Sequence, residues 1–462
     1  MRKFCTFFII MLALSAPTPV YAFIPISAPS AILMDQKTGT VLFAYNEHVR
    51  NYPAGLTKML TAIVALEYLD PQRVIVVGPE IYSIPAGALR SGHQTGEHIT
   101  VHNLLRGLMI RNGNDSGAVL ALQTVQAQRN NNNVPFGDAV RIFSQMMNDR
   151  ARELGARNTN FVNPNGLHHD DHVTTAYDLA LIARAFMEHP LLREIAGEAE
   201  FTGNSLDGYE GDLDRFEGVH TINYHWIDTN ELMSGGTFNY HYATGIRSGS
   251  TPQAMDALAA SAERNSVQLI AIVLASPDPG RWQDARILFD YGFATYSYHN
   301  ILESRQVLET AVVTNAMLGG PGILDVLSAG DFTALLSQAQ MSRLERVIMF
   351  DEEFVSDEES PYNSIMLLAP IEEDAVLGTV SYFLDGELIF EGEIQAAASI
   401  EGRSLDSDMD FYIALIRDNI FSLRALPFWM GSAGVLVGIA GMSLAIAERR
   451  RSRRSWYSGR DR

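Results

Sequence analysis

The segment Pro53-Ala54-Gly55-Leu56-Thr57-Lys58-Met59-Leu60 decides how this 462-residue chain is interpreted. Apolar residues recur on one helical face from residue 56 to residue 69, so the segment predicts the start of an amphipathic helix. Lys58 follows Gly55 by three positions, which makes the two residues neighbours one turn apart on that helix. After residue 22 the only lysines are Lys37 and Lys58. Alone, the segment is equally compatible with an ordinary helix that has one surface lysine.

The regions around this segment predict a mixed α/β domain. A hairpin is predicted from Ala31–Asp35 and Thr40–Tyr45, and helical periodicity extends from Val101 to Thr124. Thr175 and Asp178 have the spacing of a capping box at the start of a helix. Later predicted elements are a hairpin of Met255–Ser261 with Val267–Ala275, a helix over Arg281–Tyr296, and a hairpin of Gly378–Leu384 with Glu387–Ile394. The composition becomes strand-rich near residue 300, which predicts a second, mostly β domain.

Five motifs of one enzyme family occur in order along the chain. Pro53–Leu60 resembles the Ser-x-x-Lys motif of penicillin-binding proteins and serine β-lactamases. The other matching segments are Leu108–Asp115 (second motif, usually Ser-Gly-Asn-Asp), Phe161–Leu167 with Thr174–Ala180, Ala243–Thr251 (third motif, usually Lys-Thr-Gly) and Ala369–Gly386. The chain therefore resembles serine-type D-alanyl-D-alanine carboxypeptidases, the low-molecular-mass penicillin-binding proteins, over nearly all of its mature length.

This resemblance implies a fold and a domain order. The expected fold class is α/β (α+β), with a transpeptidase domain like that of β-lactamases and penicillin-binding proteins, in which helices flank an antiparallel sheet. We expect that carboxypeptidase-like domain over residues 28–300 and a small, mostly β domain over residues 301–398. The substrate that the resemblance implies is a peptidoglycan stem peptide that ends in D-Ala-D-Ala.

The chain departs from the family pattern at the residues that perform the chemistry. Gly55 stands at the position of the nucleophilic serine, and glycine has no side chain that could attack a carbonyl. Asn112 replaces the serine of the second motif, and an amide does not relay a proton as a hydroxyl does. Lys58 and Asn114 match the family's residues and are the remaining candidate catalytic groups.

The third motif, Arg247-Ser248-Gly249, replaces Lys-Thr-Gly and differs less in its chemistry. Arginine stays charged and can bind a carboxylate with two parallel hydrogen bonds, so recognition of a peptide C-terminus is expected to survive. Arg247, Ser248, Gly249 and Ser250 are the candidate substrate-binding residues. The family's oxyanion hole uses two backbone N–H groups, which the resemblance places here at Gly55 and Ser250.

The two ends of the chain predict export and membrane anchoring. Residues 1–22 have the basic start, the apolar run and the small-residue end of a signal peptide. Residues 406–424 predict a juxtamembrane amphipathic helix, and the uncharged residues 425–447 are long enough to span a bilayer. The arginine-rich tail, residues 448–462, is expected in the cytoplasm, with the bulk of the chain outside a single-pass cell membrane.

Charge and cysteine content exclude several classes of function. The net charge is −20, and because the signal segment contributes +2 and the tail +5, the exported part has −27. Such a surface repels nucleic acid. The single cysteine, Cys5, lies in the signal segment, so the mature chain has no disulfide. His168-His169-Asp170-Asp171-His172 invites a metal site, but five consecutive residues cannot all converge on one ion, and we expect no metal and no cofactor.

Three functional hypotheses remain open from the sequence. The first is a catalytically impaired carboxypeptidase relative that binds stem peptides or an unidentified partner near the membrane. The second is a working carboxypeptidase that uses an unrecognised route, or a residual hydrolysis in which Lys58 activates water at the vacant site. The third is a non-catalytic membrane-anchored scaffold. Loss of a nucleophile typically reduces turnover by about 10⁶, which favours the first hypothesis.

Overall fold

A computed structural model describes residues 24–233, 235, 237–356, 365–420 and 438–450. The chain divides into two compact units. The first contains residues up to His299 together with Leu335–Ala339, and the second contains Asn300–Ala334 and the residues from Gln340 onward. The predicted signal peptide, most of the predicted membrane span at 425–447 and most of the tail at 448–462 lie outside the described residues.

The first unit contains nine strands and seven helices among its described residues. Its strands are β1 (Ser30–Asp35), β2 (Val41–Tyr45), β3 (Val74–Val76), β4 (His98–Thr100), β5 (Glu200–Asn204), β6 (Asn223–Ile227), β7 (Ala243–Thr251), β8 (Met255–Arg264) and β9 (Val267–Ser276). Its helices are α1 (Lys58–Leu66), α2 (Val101–Met109), α3 (Asn114–Arg129), α4 (Phe136–Glu153), α5 (Ala176–Glu188), α6 (Pro190–Ala196) and α7 (Gly280–Thr295).

The centre of the first unit is a five-stranded antiparallel sheet in the order β2-β1-β9-β8-β7. Strand β9 is apolar nearly throughout, because both faces of the sheet are covered by helices. Its even-numbered residues from Ile270 to Leu274 pack with residues of α1, α3 and α5. Its odd-numbered residues from Leu269 to Val273 pack with Trp282 and Phe289 of α7. The period of two along the strand therefore divides the core into two layers.

Most predicted elements of this unit are present, and one prediction is wrong. Both hairpins and the helix from residue 280 agree with the sequence pattern to within a few residues. The predicted continuous helix from Val101 to Thr124 is instead two helices, α2 and α3. The break falls at Asn112, whose φ of 63° lies in the left-handed region that an α-helix cannot contain. The second motif therefore lies in a turn between two helices.

The second unit contains its own core and a six-stranded sheet, in the order β14-β16-β17-β12-β11-β15. These strands are β11 (Val307–Thr314), β12 (Ile323–Ser328), β14 (Leu344–Phe350), β15 (Met366–Leu368), β16 (Val376–Leu384) and β17 (Glu387–Ala396). The boundaries between the units fall within β10 (Tyr296–Leu302), β13 (Phe332–Ser337) and the short helix α8 (Gln338–Met341). The predicted hairpin near residue 385 is formed by β16 and β17.

Two helical segments follow the second sheet. Helix α9 spans Leu405–Ile420, where the juxtamembrane helix was predicted, and residues 438–450 are also helical. Among the helices of the described residues, none combines the length and the apolar character needed to cross a membrane.

The capping box that was predicted before α5 is half formed. The Thr175 hydroxyl accepts a hydrogen bond from the backbone N–H of Asp178 at 3.1 Å, as an N-cap residue does. The Asp178 carboxylate instead accepts from the backbone N–H of Asn158 at 2.7 Å and from the Thr159 hydroxyl at 2.8 Å. Asp178 thus ties the start of α5 to the segment that precedes residues 161–172.

Replacing the buried N-cap should destabilise the first unit. Thr175→Val keeps the shape of the side chain but removes the oxygen that accepts from Asp178, so the free energy of unfolding should fall by about 1 kcal/mol. Thr175→Ser retains the acceptor and serves as the matched control. Denaturant unfolding followed by circular dichroism measures both. Equal loss of stability in the two variants would show that the lost contact is apolar packing rather than the cap.

Candidate active site

The first motif forms the turn that leads into α1. Ala54–Thr57 is one turn of 3₁₀ helix, and α1 begins at Lys58. All residues of the turn are buried, including Gly55, at the position predicted for the nucleophile. Ala54 has a φ of 46°, which is unusual for a residue with a side chain. The turn is therefore a specific conformation that its surroundings must maintain.

The amine of Lys58 lies inside the protein, with an exposed fraction of 1%. Its Nζ atom donates to Asn114 Oδ1 at 2.9 Å and to the backbone carbonyl of Asn165 at 2.8 Å. Burial holds the pKa of Lys58 well below its ordinary value, the nearby charge of Arg247 lowers it further, and Asp115 opposes both. A lysine with a lowered pKa is more readily neutral, which is the state that can accept a proton.

Asn112 brings its side-chain amide beside Gly55. A Cβ atom built on Gly55 would lie 3.1 Å from Asn112 Oδ1 and 3.4 Å from Asn112 Nδ2, and 3.3 Å from the carbonyl oxygen of Ser248. The amide therefore stands against the space that a side chain at position 55 would enter. Its Oδ1 atom is buried and has no hydrogen-bond partner within the described ranges. Asn114, two residues later, also donates to the backbone carbonyl of Leu89 at 2.9 Å.

Strand β7 brings the third motif against the first. Gly249 passes so close to the turn that a Cβ atom built on it would lie 2.6 Å from the backbone nitrogen of Gly55, so only glycine fits there. The Ser248 hydroxyl donates to the Thr229 carbonyl at 3.1 Å and is 3.1 Å from the Thr229 hydroxyl. Ser250, which follows Gly249 on the strand, is exposed.

The guanidinium of Arg247 is buried, although its predicted role was to bind the C-terminus of an incoming peptide. Its exposed fraction is 0%, and Nη1 donates to the backbone carbonyl of Met109. The Nε and Nη2 atoms have no hydrogen-bond partner among the residues that the structure describes. Burial lowers the pKa of Arg247 to about 10, and the charge of Asp228 opposes that shift. Buried donors without an acceptor are costly, so this guanidinium is suited to an anionic group.

The structure thus gathers the predicted residues of all three motifs into one site. Lys58 contacts Asn114, the Asn112 amide stands beside Gly55, and β7 passes the same turn at Ser248 and Gly249. Arg247 is close enough to Lys58 to lower its pKa. In this assembly the first motif has a glycine, and therefore no side-chain hydroxyl, at position 55.

Two contributors to the site were not identified from the sequence. Asn165 binds Lys58 through its backbone carbonyl, a contact that does not depend on its side chain and has no compositional signal. The turn that carries it is built by Asn163, whose Oδ1 atom accepts from the backbone N–H groups of residues 165, 166 and 167. The Asn-Pro-Asn-Gly sequence is a turn signal that could have indicated this arrangement.

The histidine and aspartate run at 168–172 divides between the surface and the interior. His169, Asp170 and Asp171 are exposed, whereas His172 is buried. Within the described part of the chain, no group of three histidine, cysteine, aspartate or glutamate side chains is arranged to hold a metal ion. His172 Nε2 instead lies 2.8 Å from the hydroxyl of Thr57. The Thr57 hydroxyl is thus hydrogen-bonded to His172 and to the backbone carbonyl of Ala54.

Comparison with known proteins agrees with this geometry. The family model described as D-alanyl-D-alanine carboxypeptidase matches residues 15–278. The chain therefore belongs to the D-alanyl-D-alanine carboxypeptidase family, whose members act in peptidoglycan metabolism. It is 26% identical over 376 residues to D-alanyl-D-alanine carboxypeptidase DacF of Bacillus subtilis (strain 168), covering 80% of this chain and 85% of that protein. It is 28% identical over 336 residues to DacD of Escherichia coli (strain K12), covering 71% and 78%.

Solved structures show the same fold. The chain matches penicillin binding protein 5 from Haemophilus influenzae with a TM-score of 0.59 at 23% identity, over 82% of this chain and 99% of that chain. It matches the Streptomyces K15 DD-transpeptidase with a TM-score of 0.52 at 28% identity, over 59% of this chain and 100% of that chain. The mixed fold of antiparallel sheets and helices that was predicted from the sequence is thereby confirmed.

His172 should make the stability of the first unit depend on pH. Burial, followed by the charges of His169, His168 and Lys58, lowers the pKa of His172 to about 3. An unfolded histidine titrates near 6.5, so between these values the unfolded chain binds a proton that the folded chain does not. The contribution of neutral His172 to the free energy of unfolding is therefore fully present above about pH 6.5 and is lost as the pH decreases toward 3.

His172→Gln should remove this pH-dependent contribution. The free energy of unfolding lost between pH 7 and pH 5 should therefore be about 2 kcal/mol smaller than in the unaltered chain. Denaturant unfolding at the two pH values measures the difference. The control is His48→Gln, at a histidine whose side chain is 61% exposed. An identical loss in the unaltered chain and in His172→Gln would contradict the buried neutral state of His172.

Proposed function

We propose that this protein is a catalytically impaired member of its family that binds stem peptides ending in D-Ala-D-Ala. The observation that carries the proposal is Gly55, which lacks a side chain within a site where the neighbouring motifs remain assembled. An acyl-enzyme requires a side-chain nucleophile, whereas binding requires only the backbone N–H groups and the residues of the third motif.

The contacts of Arg247 support recognition of a carboxylate. Its Nε and Nη2 atoms are the pair that a carboxylate binds with two parallel hydrogen bonds, and neither has a partner in the described residues. A peptide C-terminus would supply the missing acceptor charge. The guanidinium is covered in the ligand-free protein, so the peptide must displace the covering groups, which limits the affinity.

The proposal includes anchoring at the outer face of the cell membrane. Export by a signal peptide at residues 1–22, a span at residues 425–447 and a cytoplasmic tail at 448–462 follow from the sequence. The acidic exported part suits a body that stays in solution beside an anionic membrane. The protein would then meet peptidoglycan precursors and stem peptides on the side of the membrane where they are displayed.

A second candidate function is slow hydrolysis without a covalent intermediate. The observation that favours it is the buried amine of Lys58, whose lowered pKa suits a general base for water in the space beside Gly55. Release of D-alanine from a D-Ala-D-Ala peptide, abolished by Lys58→Met, distinguishes this candidate from binding alone.

The protein should form no covalent adduct with penicillin, and restoring the nucleophile should restore acylation. Gly55→Ser supplies a hydroxyl one turn before Lys58, and Gly55→Ala is the matched control that adds only Cβ. Acylation of Gly55→Ser should be partial, because the Asn112 amide lies within 3.4 Å of the new Cβ position. Gly55→Ser with Asn112→Ser frees that space and adds a hydroxyl, so the pair should acylate faster than Gly55→Ser in a non-additive way.

Fluorescent penicillin followed by denaturing gel electrophoresis measures these adducts. A stable adduct on the unaltered protein would overturn the proposal, and mapping it would identify the residue that replaced the serine. A folded double variant without any adduct after hours at high penicillin concentration would favour the non-catalytic scaffold over the ligand-binding relative.

Peptide binding should depend on the C-terminal carboxylate. We expect a dissociation constant from about micromolar to millimolar, because one bidentate charge-assisted contact stabilises the complex by only a few kcal/mol. Arg247→Ala should weaken binding about tenfold or more, whereas Arg247→Lys keeps the charge and should weaken it less. Titration calorimetry with D-Ala-D-Ala peptides measures both variants. Equal affinity for a peptide with an amidated C-terminus would contradict the role of Arg247.

A further inference from the structure

A buried histidine is hydrogen-bonded to the turn that contains Gly55. His172 is 2% exposed, and its ring stacks on Phe161 with the centroids 4.9 Å apart and an interplanar angle of 14°. Its two nitrogens lie near different partners, the backbone N–H of Val162 and the hydroxyl of Thr57. The predicted functions of the site do not use this residue.

The direction of these hydrogen bonds follows from the chemistry of the partners. The backbone N–H of Val162 can only donate, so His172 Nδ1 is the acceptor at 3.1 Å. The proton of the neutral ring is then on Nε2, which donates to Thr57 Oγ1 at 2.8 Å. The Thr57 hydroxyl in turn donates to the carbonyl oxygen of Ala54 at 2.9 Å. Each group in this chain has one assigned role, which fixes the ring and the hydroxyl.

The Ala54 carbonyl is also confined from a second side. Gly166 has a φ of 76°, and it packs so closely on this carbonyl that a Cβ atom on Gly166 would overlap it. Ala54 itself has a φ of 46°, which costs energy for a residue with a side chain. The hydrogen bond from Thr57 and the contact with Gly166 therefore maintain a conformation that the turn would not prefer alone.

The Ala54 carbonyl and the Gly55 N–H belong to the same peptide group. A trans peptide is planar, and its C=O and N–H bonds point in opposite directions. Fixing the carbonyl toward Thr57 therefore fixes the N–H on the opposite side of the C–N bond, and the Gly55 nitrogen lies next to Gly249 of β7. This N–H is the group that position 55 can offer to a ligand, since glycine has no side chain.

We propose that His172 is a positioning residue that aims the Gly55 N–H at the ligand's carbonyl or carboxylate oxygen through Thr57 and the Ala54 carbonyl. The inference rests on the proposed binding function only for the identity of that ligand. The hydrogen bonds that connect His172, Thr57 and the Ala54 carbonyl are present whichever ligand binds. Thr57 offers the sharpest test, because Thr57→Val removes both hydrogen bonds without changing the side-chain shape and Thr57→Ser retains them.

The experiment uses the full-length protein in detergent micelles, labelled with ¹⁵N-glycine, which gives signals for its 36 glycines. Loss of one signal in Gly55→Ala assigns Gly55. In Thr57→Val the Gly55 signal should shift well beyond the spread of the other glycine signals, and in Thr57→Ser it should stay near its original position. Affinity for a D-Ala-D-Ala peptide should fall about tenfold in Thr57→Val, as expected for one misaligned hydrogen bond.

His172 is tested with a conservative and a disruptive variant. A glutamine can accept from Val162 and donate to Thr57, so His172→Gln should preserve the Gly55 signal better than His172→Ala. An unchanged Gly55 signal in Thr57→Val overturns the proposal, and so does a shift that is equal across all glycines, which would indicate general loss of packing. If the peptide perturbs no signal of the unaltered protein, the proposed function fails, while the ligand-free spectra still decide the role of His172.

Discussion

The arrangement of the first unit depends on how it accommodates one buried amine. Moving an ammonium group into the interior is very unfavourable unless the group is hydrogen-bonded or becomes neutral. Lys58 is satisfied by Asn114 at the start of α3 and by the carbonyl of Asn165. Those two contacts require α1, α3 and the turn at residues 163–166 to meet at one point. Burial lowers the pKa of Lys58, and Arg247 of β7, a second buried cation, lowers it further.

Residue 55 has no side chain, and its neighbours are packed closely around it. The Asn112 amide stands against the position where a Cβ of residue 55 would be, and its left-handed φ suits asparagine better than most residues. Gly249 approaches the Gly55 nitrogen closely. The backbone of the turn is consequently well defined although residue 55 has no side chain, which is the physical basis of the proposal that binding is retained without turnover.

Local sequence patterns predicted most elements of the fold. The short apolar runs of β1 and β9 and the helical period in α1 are properties of neighbouring residues, so they can be read without knowing the tertiary structure. The prediction failed between α2 and α3, because Asn112 and the glycine after it were interpreted as part of a continuous helical run. A polar Asn-Gly pair is a turn signal, and the apolar period on both sides obscured it.

The sequence by itself determined that this chain belongs with proteins of the three-motif family, that position 55 has no nucleophile, and that Lys58 lies one turn away. Only the tertiary structure decided that Arg247 is buried with two donors that have no partner among the described residues, that Asn165 binds Lys58, and that His172 lies beside Thr57. The physical reason is the range of the interactions. Helical and strand periods arise between residues a few positions apart, whereas His172 and Thr57 are separated by 115 positions and meet only when the core has formed.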